Sequence, residues 1–143
     1  MEYQKFNNHY VIRLDPGDAI IESIKKVAIT ENITLGSING IGAVKSFTVG
    51  FFNPETKFYQ EHTFNGYYEI TTLLGNITTH NNEPYLHVHG TFGDDQYRII
   101  GGHLKEAIIS VTSEIVISTI DGTINRKMGE VGINILDLAK SKE

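Results

Sequence analysis

The stretch EAIISVTSEIVISTI, residues 106–120, limits the possible folds more than any other part of the chain. It is rich in β-branched residues, and successive side chains of a strand point to opposite faces. Ile108, Ile109, Val111, Ile115, Val116 and Ile117 therefore put apolar groups on both faces. A strand that is apolar on both sides has to be covered on both sides. Two arrangements meet that demand. Other subunits cover the remainder in a closed symmetric homo-oligomer, or the sheet forms a sandwich that covers itself.

Helical cover is scarce, because one segment alone has helical periodicity. In LDPGDAIIESIKKVAITENI, Asp15 suits an N-cap, Pro16 the first helical position, and Asp18 the positive end of the helix dipole. Ile20, Ile21, Ile24, Val27 and Ala28 recur on one face, and Asn32 suits a stop, so a helix is expected over about 16–31. Most of the rest reads as strand: HYVIRL before the helix, then SFTVGFF, FYQEHTF, YYEITTLLGNIT, YLHVHGTF, QYRII and VGINIL. NPET, FNG, HNNEP, GDD and DGT punctuate these segments, and the KSKE tail reads as frayed. The expected fold is α+β: one domain over 1–143, a mostly antiparallel curled sheet with one main helix.

Composition narrows the chemistry. With no cysteine there is no disulfide, thiolate ligand or thiol nucleophile, so a metal would have to bind nitrogen and oxygen. The formal charge is −5, from 12 basic and 17 acidic residues, and the lysines are scattered. That balance argues against direct contact with DNA, which depends on cations neutralising phosphates. No apolar run approaches the ~20 residues of a membrane span, and the polar start MEYQKFNNHY lacks the apolar stretch of a secretory signal. A cytoplasmic protein is the expectation.

Three of the six histidines fall within PYLHVHGTFGDDQYRIIGGH, residues 84–103. On a strand His87 and His89 share a face, with Cβ atoms ~7 Å apart. A turn centred near Asp94–Asp95 would bring positions 100–103 beside them, with Gly101 and Gly102 able to form a bulge. Three neutral imidazoles are a competent ligand set for Zn²⁺ with water in the fourth place, and they also suit Ni²⁺, Co²⁺ or Fe²⁺. The alternative is a set of half-exposed sheet histidines with ordinary hydrogen bonds. His80 near the HNNEP loop is a candidate fourth ligand or a solvated loop residue. His9 and His62 have no partner in the sequence.

SINGIGAV (37–44), GYYEITTLLGNI (66–77), LHVHGTFGDD (86–95) and GGHL (101–104) occur in an order and spacing that resemble the PPC domain, the "plants and prokaryotes conserved" or DUF296 family. The resemblance extends over nearly the whole chain. It implies a single-helix α+β domain assembled as a homotrimer. It also implies a metal, often zinc, near the subunit interface, held at the positions of His87, His89 and His103. Plant relatives grip the DNA minor groove with an Arg-Gly-Arg-Pro hook and use the domain for assembly and for contact with other transcription factors. This chain has no Arg-Gly-Arg. The plant motif Gly-Arg-Phe-Glu-Ile reads here Gly66-Tyr67-Tyr68-Glu69-Ile70, keeping the glutamate and losing the arginine.

Beside the histidines, Glu69 is a candidate to orient a ligand imidazole, or else a structural or interface hydrogen-bonding group. Arg13 is a candidate for an anionic ligand or for pairing with Glu69, or else a surface arginine between core residues. Tyr85 and Tyr97 flank the histidines and would wall a pocket or simply pack. The residues favour a binding or regulatory module that recognises a small molecule or a protein partner. The alternatives are a DNA-associated protein acting through partners, and a metal-dependent hydrolase or lyase with Glu69 as proton shuttle.

Overall fold

Three strands are far longer than the usual five or six residues. In the computed structural model, which describes residues 1–138, β3 (Gly36–Asn53), β4 (Phe58–His80) and β6 (Ile99–Thr119) run for 18, 23 and 21 residues. They are joined by β1 (Glu2–Phe6), β2 (His9–Leu14) and β5 (Glu83–Gly93) in an antiparallel sheet of order β1-β2-β6-β3-β4-β5. β5 then pairs with the first part of β6, so β3, β4, β5 and β6 form a ring. One helix, α1 (Ile20–Thr30), packs against β5 and β6, and a short ribbon of β7 (Arg126–Met128) and β8 (Asn134–Leu136) forms a second, two-stranded sheet docked against β4. The chain is a single α+β domain. No helix among the described residues is long and apolar enough to cross a membrane.

Strands of this length curl where the register slips. β3 shifts against its neighbours around Gly42–Ser46, and β6 sets several residues against Ala43 alone between Ser113 and Ile109. Each irregularity bends the sheet and tightens its twist. The concave side is closed by aromatic packing: Phe47 stacks on Phe92 with ring centroids 3.9 Å apart and meets Tyr68 edge-on at 5.0 Å. Ile12, Leu14, Ile24, Ile38, Leu73, Ile77, Ile109, Ile115 and Ile117 fill the rest of the core.

The segment 106–120 divides as its pattern demands. Ile109, Ile115 and Ile117 are buried, and Ile108 is half-buried beside the start of the helix, bridged to Ala19. Val116 points outward, and Val111, displaced by the register shift, is also exposed. The curl therefore covers the inner face, and the outer face keeps exposed apolar groups.

Several boundaries differ from the expectation. The helix begins at Ile20, not near 16, because Gly17 has φ +93° and residues 15–18 form a turn closed by the Asp18 N–H on the Asp15 carbonyl at 3.0 Å. Asp15 is not the cap. Ala19 holds that position without a side-chain bond, and Glu106 on β6 accepts the N–H groups of Ile21 at 2.7 Å and Glu22 at 3.2 Å. Asn32, with φ +53°, follows the helix end as expected. FNG lies inside β4 with Gly66 at φ +133°, and QYRII contributes only its last two residues to β6. VGINIL shrinks to Asn134–Leu136, and the polar strand β1 escaped notice because none of its residues is buried. The KSKE tail lies outside the described residues.

Candidate metal centre

β5 is an ordinary half-buried strand at the point where it carries the histidines. Val88 faces the core, while His87 and His89 face out beside Asn76 and Leu74 of β4. The turn that follows is built by Asp94, whose carboxylate accepts the N–H groups of Gln96 and Arg98, both at 2.9 Å. Tyr97 takes the left-handed conformation there, at φ +64°. The chain returns in unbroken register, so His103 stands directly opposite His89.

The expected bulge at Gly101–Gly102 is therefore absent, and these glycines serve close approach instead. An added Cβ would lie 2.6 Å from the Gly90 carbonyl oxygen at Gly101, and 2.8 Å from that of Gly50 at Gly102. The irregularity falls three residues after Gly102, where β3 and β6 skip Lys105 between Val49–Leu104 and Thr48–Glu106.

The three rings form a nearly equilateral triangle. Centroids are 5.2 Å apart for His87–His89, 5.4 Å for His87–His103 and 5.5 Å for His89–His103. One ring nitrogen from each lies within 4.8 Å of the others, and the Nε2 atoms of His87 and His89 are 3.2 Å apart. Tetrahedral zinc with bonds of about 2.0–2.1 Å needs nitrogens about 3.3 Å apart, so the first pair already has ligand spacing. Burial, followed by the other two histidines and Arg126, pushes the His87 pKa below its usual value. Burial, followed by His89, does the same for His103 against a weaker opposing pull from Glu61. Both effects favour the neutral imidazole, the form that ligates. The residues fit a divalent transition metal.

The rings open into a cavity of about 690 Å³. Its walls include Phe51, Phe52, Tyr59, Tyr85 and Ile133, with Lys57 among them. Tyr59 meets His103 edge-on at 6.1 Å. It reaches the site because β3 pairs Gly50 with His103 on one side and Glu61 on the other. Such long-range register has no signature in the sequence, and Tyr59 was missed. Arg126 was missed for the same reason. Its guanidinium lies 4.8 Å from the Tyr85 ring centroid and donates to Thr78 Oγ1 at 2.9 Å, Asn76 Oδ1 at 2.8 Å and the Asn134 carbonyl at 3.4 Å.

Tyr85 lines the cavity, and His80 packs edge-on against it at 5.9 Å rather than joining the triangle. Tyr97 is 93% exposed at the turn and walls nothing. Glu69 is exposed, paired in register with Ala43 and Gly93, and hydrogen-bonds to no histidine among the described residues. It sits four positions along β5 from His89, roughly 13 Å away at the strand rise. Arg13 pairs with Glu2 at 3.2 Å and Asp15 at 2.9 Å, not with Glu69, because β2 lies beyond β6 and β3 from that part of β4. His9 contacts Ser118 Oγ at 2.9 Å, and His62 packs on Phe64.

A single-helix, ring-closed antiparallel sheet with three histidines at the β5–β6 ribbon defines the class. The chain belongs to the Plants and Prokaryotes Conserved (PCC) domain family, whose model matches residues 1–121. Among solved structures it resembles a "putative DNA binding protein" from Bacteroides thetaiotaomicron, with 36% identity over 97% of this chain and 98% of that one and a TM-score of 0.94. A plant- and prokaryote-conserved protein from Pyrococcus horikoshii is 28% identical over 98% and 96% of the two chains, with a TM-score of 0.85. A metal-containing protein from Archaeoglobus fulgidus is 27% identical over 94% of each, with a TM-score of 0.83. No curated protein matches the chain.

Proposed function

We propose that this protein is a metal-containing binding module in which His87, His89 and His103 hold a divalent transition metal, zinc first among them, beside an interface of a homotrimer. The observation that carries the reading is the convergence of three ring nitrogens within 4.8 Å at the mouth of a cavity. The metal-containing Archaeoglobus protein of the same fold supports it. A bound divalent ion would act as a Lewis acid toward a ligand's oxygen. The chain's own residues orient the site: Val88 anchors the strand, Asn76 and Leu74 fix the rows of His87 and His89, and Tyr59 covers His103. No carboxylate among the described residues lines the cavity, and Glu69 is distant, so a binding role is favoured over hydrolase or lyase chemistry.

A second reading, DNA association, is favoured by the name of the Bacteroides neighbour. The charge of −5 points to association through a protein partner rather than by direct contact. Metal analysis of protein purified without a polyhistidine tag tests the first reading. About one ion per chain is expected, and its retention in a His87→Ala, His89→Ala variant would remove the assignment. Tight, steeply salt-dependent DNA binding by the purified protein would reverse the order of the two readings.

A further inference from the structure

We infer that the cavity beside the three-histidine centre takes a small organic carboxylate with an apolar or aromatic body, its acid group shared between the metal and Lys57. This rests on the centre being the metal site. Three neutral imidazoles bring no negative charge, so a divalent ion there would keep its full double charge. A half-buried charge without a counter-charge is costly, and the cavity walls offer little to offset it. The chain carries 17 acidic residues, yet no Asp or Glu among the described residues lines the cavity. Glu61, whose charge reaches His103, is held by Lys105 at 2.7 Å.

The groups nearby are instead positive. Lys57 lines the cavity and has no ion pair among the described residues. Behind the Tyr85 wall, buried Arg126 is bonded, among the described residues, only to neutral oxygens. An anionic ligand completes this electrostatic arrangement. A carboxylate suits it better than a phosphate, because a dianion calls for several converging donors and the walls supply one ammonium among aromatic and aliphatic groups. Those walls, Phe51, Phe52, Tyr59, Tyr85 and Ile133, call for an apolar body, and about 690 Å³ is ample for one ring and its substituents.

The test uses Co²⁺-loaded full-length protein, whose visible absorption reports on the metal's ligands. Phenylacetate is the probe, and phenylacetamide and phenyl phosphate are the comparisons. Phenylacetate is expected to shift the Co²⁺ bands and raise the melting temperature, while the neutral amide does neither. Lys57→Asn, chosen because Asn tolerates the φ of +55° at this turn, is expected to weaken phenylacetate about fivefold with the Co²⁺ content unchanged. Lys57→Arg is expected to restore it. Loaded protein that ignores phenylacetate, prefers phenyl phosphate, responds equally to the amide, or is indifferent to Lys57→Asn would overturn the inference alone. Failure to take up Co²⁺ would overturn the metal reading and this inference with it.

Discussion

Leu74 and His89 stand directly opposite each other across β4 and β5, so an outward, mostly apolar row leads into the histidine centre. Continuing across the sheet, Leu74 faces Asn39, Asn39 faces Val116, and Val116 faces Val11. Residues directly opposite in neighbouring strands share a face. Leu74, Val116 and Val11 are 50%, 38% and 45% exposed in the isolated chain.

A charge in the middle of that row should prevent copies from associating through it. Val116→Lys is expected to convert the proposed trimer into a folded monomer, as read by light scattering and circular dichroism. Wild-type protein that scatters as a monomer at tens of micromolar would refute the proposed assembly.

Glu106 is predicted to control the start of α1. Its carboxylate receives two of the helix's first N–H groups and, through Oε1, its neighbour Ala107 at 3.0 Å. Glu106→Ala should cost about 1–2 kcal/mol, the usual range for a lost cap, and lower the melting temperature by a few degrees. Glu106→Gln should cost less, because an amide oxygen can still accept one bond. Chemical denaturation of both variants measures the difference.

The amino terminus sets a pH window. The Met1 ammonium lies 2.9 Å from carboxylate oxygens of both Asp15 and Asp18. Bonding to Asp18 and then Asp15 raises the amine above its ordinary 8.0. The Met1 ammonium, then Arg13, lowers Asp15 below 3.8, and the Asp15 backbone N–H, then Met1, does the same for Asp18. A raised amine stabilises the fold fully below its unfolded value, and that contribution is lost as pH rises through the folded value. Lowered carboxylates contribute above their unfolded value, and that contribution is lost as pH falls through the folded one. The cluster's contribution should therefore be level between roughly pH 5 and 7 and fall on either side. Melting temperatures across pH should show the alkaline decline weakened by Asp18→Asn; an unchanged profile would count against the cluster.

Arg126 is predicted to be the tether of the β7–β8 ribbon. Replacing it with Met preserves bulk but leaves oxygens of Thr78, Asn76 and Asn134 without their donor. A cost of about 2 kcal/mol is expected, as for a charged buried hydrogen-bond donor. Because Gly132, Ile133 and Asn134 wall the cavity, faster hydrogen exchange over residues 126–136 should accompany it.

What could be read in the sequence was local. The two-residue spacing of His87 and His89 fixes their shared face, and the GDD turn fixes the return of His103, so both could be stated in advance. The apolar groups of 106–120 announced a sheet in need of cover on both sides, but not that the sheet would bend round and cover one side itself. Glycines misled twice. Gly101 and Gly102 suggested a bulge where they permit close packing, and Gly66 suggested a turn inside β4. Tyr59 and Lys57 reach the cavity through pairings of β3 and β6 separated by tens of residues, and Arg126 comes up behind the Tyr85 wall. Of the two roles weighed for Glu69, its register leaves the structural one.

The β5–β6 ribbon has a consequence for how the molecule forms. All three imidazoles lie within 17 consecutive positions joined by one short reversal, 87 to 103, whereas β6 meets β2 and β3 only through contacts remote along the chain. Loop closure favours the near pairing, so the ribbon can zip before the sheet is complete. An ion captured at that stage would fasten the hairpin early, making cation supply a determinant of folding yield as well as of occupancy.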